Sequence, residues 1–196
     1  MTLIIGVTTA SGLVLSADSR TTQQVLDGNR VVLHEQPATG EKIWLLGDRL
    51  AVASCGAASI DVPGLMARFA PATNKIDDIA QELLLQLKAG VVPKQPWVVY
   101  LASLEEGAPT LSRISVPDTS VAFLSQPPAR AVFRVWAEGL VGPDPLPADT
   151  HEWTVEKALA YSRCAITEAA QRQPKYVGPP VKSILVSTSA IQWCVE

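Results

Sequence analysis

Five positions of this chain combine residue type and placement suited to nucleophilic chemistry: Thr2, Asp18, Lys42, Gly56 and Ser125. Thr2 follows the initiator methionine and is small enough for Met1 to be trimmed, which would place a hydroxyl and a free α-amine on one residue. A threonine hydroxyl alone is a weak nucleophile, but an α-amine titrating at about 7.7–8.0 can take its proton directly or through water. The plainer reading is that many chains begin Met-Thr and that a β-branched residue suits a first strand. Asp18 closes one apolar run and Lys42 opens another, where a buried charge is costly without a partner, so the two are expected to meet. An ammonium beside Thr2 would favour its deprotonated forms, and the carboxylate would hold the lysine charged and oriented. An ordinary strand-end ion pair is the alternative. Gly56, within Ser54-Cys55-Gly56-Ala57-Ala58, sits where a strand passes to a helix, so its amide could face an oxyanion or simply make a turn. Ser125, ahead of Pro127-Pro128, either supports the threonine amine or caps a helix.

Strands must position these groups. Thr2 to Thr9 is β-branched and apolar on both faces, and Leu13 to Asp18 returns after Ala10-Ser11-Gly12, which makes a hairpin. With all three turn residues in the loop, Arg20 stands opposite Thr2 and Asp18 opposite Ile4, so Thr2, Asp18 and Arg20 share one face. Further pairs are expected at Thr21 to Leu26 with Arg30 to His34, and at Lys42 to Leu46 with Leu50 to Ser54. Trp97 to Ser103, Leu111 to Val116 and Ser120 to Leu124 read as a meander, and Ser183 to Ser187 and Ile191 to Val195 as closing strands.

Helices alternate with these strand groups. Ile76, Ile79, Ala80, Leu83, Leu84 and Leu87 form one apolar stripe, with Asn74 placed as cap and Gly90 as stop. Residues 57–71 read as helical despite Pro63 and Gly64. A mostly buried helix is expected from Pro127-Pro128 through Arg130, Arg134 and Glu138, and a long one from Thr154 to Gln171, lying between layers. The order is strands, helices, strands, helices, strands, with no linker to divide it, so residues 1–196 form a single α+β domain of two antiparallel sheets with helices outside both.

Composition narrows the partners. With 16 basic against 19 acidic side chains, net charge −3, there is no electrostatic footprint for nucleic acid or an anionic membrane. Uncharged runs fall short of the roughly 18 residues of a membrane span, and no leader pattern opens the chain. Cys55, Cys164 and Cys194 are odd in number and widely spaced, which fits a reducing cytoplasmic compartment. His34 and His151 lack metal-ligand spacing, so neither metal nor cofactor is expected. There is no Gly-x-Ser-x-Gly elbow and no phosphate loop, so ATP-driven unfolding would need a separate partner.

Thr2-Leu3-Ile4-Ile5-Gly6-Val7, Gly12-Leu13-Val14-Leu15-Ser16-Ala17-Asp18-Ser19-Arg20-Thr21-Thr22, Glu41-Lys42-Ile43 and Cys55-Gly56-Ala57-Ala58 together resemble a proteasome β-type subunit of the N-terminal nucleophile hydrolases. The motifs cover roughly the first sixty residues. The resemblance implies a four-layer αββα sandwich and a threonine-type peptidase for unfolded peptides, enclosed in a homo-oligomeric ring. It implies Thr2 as nucleophile, Asp18 and Lys42 as its charge partners, Gly56 as oxyanion donor, Ser125 as a further catalytic residue and Arg20 as support. Thr21, Thr22 and Ala58 would line the substrate cleft. Departures also stand in the chain: Gln126 follows Ser125 where the family has glycine, and Pro174, Val177 and Gly178 occupy the region of a family aspartate and serine-glycine pair. A ring-forming scaffold without hydrolysis is the competing expectation.

Overall fold

The computed structural model describes residues 2–27, 30–48, 50–56, 61–62, 64, 68, 75–86, 97–116, 120–125, 135–138, 146–147 and 149–194. Strands β1 (Ile4–Thr9) and β2 (Gly12–Ala17) are buried along their whole length, as their apolar character on both faces requires. They occupy the middle of a five-stranded sheet, β10 (Val135–Glu138), β1, β2, β11 (Lys182–Ser187), β12 (Ile191–Trp193). The second five-stranded sheet runs in chain order through β5 (Ile43–Leu46), β6 (Leu50–Cys55), β7 (Trp97–Glu105), β8 (Ala108–Val116) and β9 (Ser120–Ser125). β3 (Arg20–Asp27) and β4 (Arg30–Thr39) form a separate two-stranded ribbon. All the pairings are antiparallel.

The period-two alternation of β1 and β2 divides their side chains between two cores. Ile4, Leu13, Leu15 and Ala17 face the second sheet and pack with Ile43, Ala51, Ala53, Tyr100, Ala102 and Leu111. Leu3, Ile5, Val7 and Val14 face the opposite way, onto Ala158, Ala165, Ile166 and Ala169 of helix α2 (Val155–Arg172). The three alanines allow close approach of the helix to the sheet. The helix is stopped on its N-terminal side by Thr154, whose Oγ1 accepts from the Lys157 amide at 3.2 Å. Helix α1 (Ile76–Gln86) rests against β7 and β8 with Ile76, Ile79 and Ala80 buried, and the Ile76 amide donates to the Glu105 carboxylate. Asn74 and Gly90, its expected cap and stop, lie outside the described residues.

Four expectations are corrected. The four-layer αββα sandwich is not what the chain forms: among the described residues twelve strands stand against two α-helices, and the molecule is mostly antiparallel sheet. The segment read as a helix ending at Glu138 is instead β10, an edge strand paired with β1. Val135 and Trp136 have side chains that suit a pleated ladder, and β1 had an open edge to receive them. Residues 126–134 lie outside the described set. The long helix does not lie between layers; only one of its faces is buried. Finally, the first hairpin turns on Ala10-Ser11 alone, because Thr9 pairs with Gly12. Thr9 Oγ1 accepts from the Ser11 amide and donates to the Gly12 carbonyl, which uses Gly12 as a ladder residue and shortens the loop by one. The register therefore sets Ile4 opposite Ala17, not opposite Asp18.

Candidate functional site

The one-residue shift changes how Asp18 is reached. The β1–β2 ladder ends with the Asp18 amide donating to the Leu3 carbonyl at 3.2 Å, after which the chain leaves the sheet and the Asp18 side chain is free to turn away from strict alternation. Its carboxylate is fully buried and takes four donors. Oδ1 accepts from the Leu3 amide and from Lys42 Nζ, each at 2.8 Å. Oδ2 accepts from the Arg20 amide at 3.1 Å and the Gly178 amide at 3.2 Å. Two donors on each oxygen supply the hydrogen bonds that a buried carboxylate needs, and one of the donors carries the opposite charge.

Lys42 reaches this point from the other sheet, one residue before β5, and its carbonyl accepts from the Ser54 amide at 3.0 Å. Burial lowers the Lys42 pKa below its ordinary 10.5, opposed by the charge and hydrogen bond of Asp18 and further by Cys55. Two backbone bonds also bind the same end of the molecule: Gly40 N to Ser19 O at 2.8 Å and Ser19 N to Gly178 O at 3.0 Å. Four chain segments, at residues 3, 18–20, 40–42 and 178, thus meet on one carboxylate.

Gly178 was not among the residues expected to matter, yet its amide and carbonyl both serve the segment carrying Asp18. A Cβ on it would lie 2.6 Å from Arg20 Nε, so any larger residue would displace the Arg20 side chain from its place over this backbone. The sequence signals for this are the glycine itself in a Pro-rich stretch and its place in the region where the family resembled has a serine-glycine pair. Neighbouring Val177 points into the helix-side core, 2% exposed.

The other expected residues fall as follows. Thr2 is partly buried and directly precedes Leu3, the residue whose amide binds Asp18. It lies two residues before β1, whose first residue, Ile4, faces the second sheet. Arg20 contributes its backbone amide to Asp18 and its side chain lies against Gly178. Gly56 follows β6 with φ +112°, a conformation suited to glycine, two residues beyond Ser54. Thr21 is partly buried beside Gly40, and Thr22 pairs with Glu35 in the ribbon. Ala58 lies outside the described residues. Ser125 ends β9, at the opposite edge of its sheet from β5, four strand spacings or roughly 19 Å across that sheet, and stands opposite Leu111 of β8.

Among the described residues no group of three or more His, Cys, Asp and Glu side chains comes together to hold a metal ion, and no helix is long and apolar enough to cross a membrane. No protein-family model matches the chain and no curated protein sequence matches it.

Proposed function

We propose that the chain is an N-terminal threonine hydrolase that cleaves peptide bonds in unfolded polypeptide. Removal of Met1 frees the Thr2 amine; the amine takes the hydroxyl proton as Thr2 Oγ1 attacks the carbonyl, and an ester-linked acyl-enzyme forms as the amine of the cleaved peptide departs with that proton. Water activated by the same amine then releases the acid. The observation that carries this reading is the shared oxygen: Asp18 Oδ1 binds both the amide next to Thr2 and the Lys42 ammonium, so one buried atom fixes a cation relative to the first residue of the trimmed chain. A positive charge held there lowers the cost of a developing alkoxide. The likeness of the first sixty or so residues to proteasome β-type subunits supports the same chemistry, an enclosing homo-oligomeric ring, a separate ATPase or activator, and a cytoplasmic setting. Comparing peptide turnover by the intact protein and by Thr2→Ala tests it. The proposal expects a loss of at least 10³-fold; equal turnover removes Thr2 from the mechanism.

A second reading, a ring-forming scaffold without hydrolysis, is favoured by one feature. Val177 is buried in apolar surroundings and Gly178 offers only backbone, where the family resembled has an aspartate and a serine-glycine pair. It predicts assembly in native sizing with no turnover.

A further inference from the structure

Beside the Asp18–Lys42 pair, the described surface holds an open groove of about 390 Å³ walled by Glu41, Pro180, Val181, Lys182, Trp193 and Cys194. Both walls are continuous with the chain segments that hold Asp18. Glu41 directly precedes Lys42, whose ammonium binds Oδ1. Pro180 stands two residues beyond Gly178, whose amide binds Oδ2. Lys182 pairs across the ladder with Ala17, the residue before Asp18, and its ammonium is paired with Glu41 at the lip, joining the two walls. Trp193 forms the apolar side. It lies two residues from Ile191, which packs in the core between the sheets, so alternation places the ring on that same face, where it is 40% exposed. Cys194 donates its amide to the Ser183 carbonyl and fixes this end of β12 beside β11.

β12 is three strand spacings from β1, roughly 14 Å, which an extended chain spans in about four residues. We propose that this groove is a subsite of the peptide cleft, taking a bulky apolar side chain about four residues from the bond cleaved at Thr2. The inference rests on the threonine-hydrolase reading and adds a substrate class to it: polypeptide with a leucine-sized residue at that distance. The ring of Trp193 supplies apolar contact area, and the paired charges of Glu41 and Lys182 at the lip offer an acceptor and a donor to the peptide backbone passing over them.

The test has a kinetic arm and a binding arm. Internally quenched peptides carry leucine or alanine four residues to either side of the cleaved bond. Leucine on one side is expected to lower KM about tenfold against alanine, with kcat little changed, and Trp193→Ser is expected to abolish that difference. Equal KM values for all peptides, with Thr2-dependent turnover intact, overturn the groove and leave the hydrolase standing. For binding without chemistry, the Thr2→Ala protein is titrated with acetyl-Leu-Ala-Ala-Leu-amide and its alanine-first counterpart while the Trp193 indole N–H resonance, assigned by its loss in Trp193→Phe, is followed. A shift with the leucine peptide alone supports the subsite whether or not turnover exists; no shift overturns it.

Discussion

At the scale of single residues, the fold turns on how Asp18 and Lys42 are kept inside. A buried ammonium is held below its ordinary pKa by burial, and the Asp18 carboxylate works against that loss. Between the folded-state value and 10.5 the unfolded chain binds more protons than the folded one at this site, so the Lys42 contribution to stability rises as the pH climbs through that interval. Urea unfolding of Lys42→Met against the parent chain checks both halves. At neutral pH the variant is expected to lose about 3–5 kcal/mol, because Asp18 keeps its burial and loses its counter-charge. The upward slope toward alkaline pH is expected in the parent and absent from the variant. A variant as stable as the parent, with the same slope, would mean that the pair contributes nothing. The meeting of Asp18 and Lys42 was legible in the sequence, since each is a charge at the end of an apolar run. The roles of Leu3 and Gly178 were not, because both act through main-chain amides, which every residue but proline possesses and which carry no signature in residue type.

At the scale of elements, sequence pattern located the β1–β2 hairpin, the β7–β9 meander, helix α1 with Ile76, Ile79 and Ala80 inward, and the span of α2, because their periods of 2 and 3.6 are sustained over whole segments. It failed over Val135 to Glu138, where a short run holding β-branched and aromatic residues satisfies a buried helix and a ladder alike, and the pairing with β1 made it a strand. It also missed the Ala10-Ser11 turn by one residue, since only the pairing of Thr9 with Gly12 distinguishes a two-residue from a three-residue loop. A polar link that the pattern did not reveal joins α2 to the first sheet: Ser16 Oγ lies 2.8 Å from Ser162 Oγ and 2.9 Å from Ser183 Oγ, with all three residues buried. Ser16 is the middle of the three, so Ser16→Ala takes the partner from the buried Ser183 hydroxyl, while Ser162 Oγ keeps its bond to the Leu159 carbonyl. The expected cost is about 1–3 kcal/mol in urea unfolding; a cost below about 0.5 kcal/mol would show that the link does not help to hold the helix on the sheet.

At the scale of the whole molecule, two antiparallel sheets bring four distant chain segments to one buried carboxylate, and a groove opens from the same segments. The residues of the resemblance lie almost entirely in the first sixty or so, so the architecture farther along was the less legible part: the four-layer sandwich expected there is not formed, and the described residues beyond hold six strands and two helices. The proposed chemistry turns on a trimmed chain that begins with a reactive hydroxyl whose own amine is its base. The most direct measurement is the intact and peptide-level mass of purified protein after incubation with a peptidyl β-lactone, an electrophile that acylates such hydroxyls by ring opening without a leaving group. The account predicts a chain lacking Met1 and carrying one ester adduct on Thr2, formed faster as the pH rises through about 7.7–8.0 and absent from Thr2→Ala. A chain that keeps Met1, or an adduct of equal yield in Thr2→Ala, would contradict it.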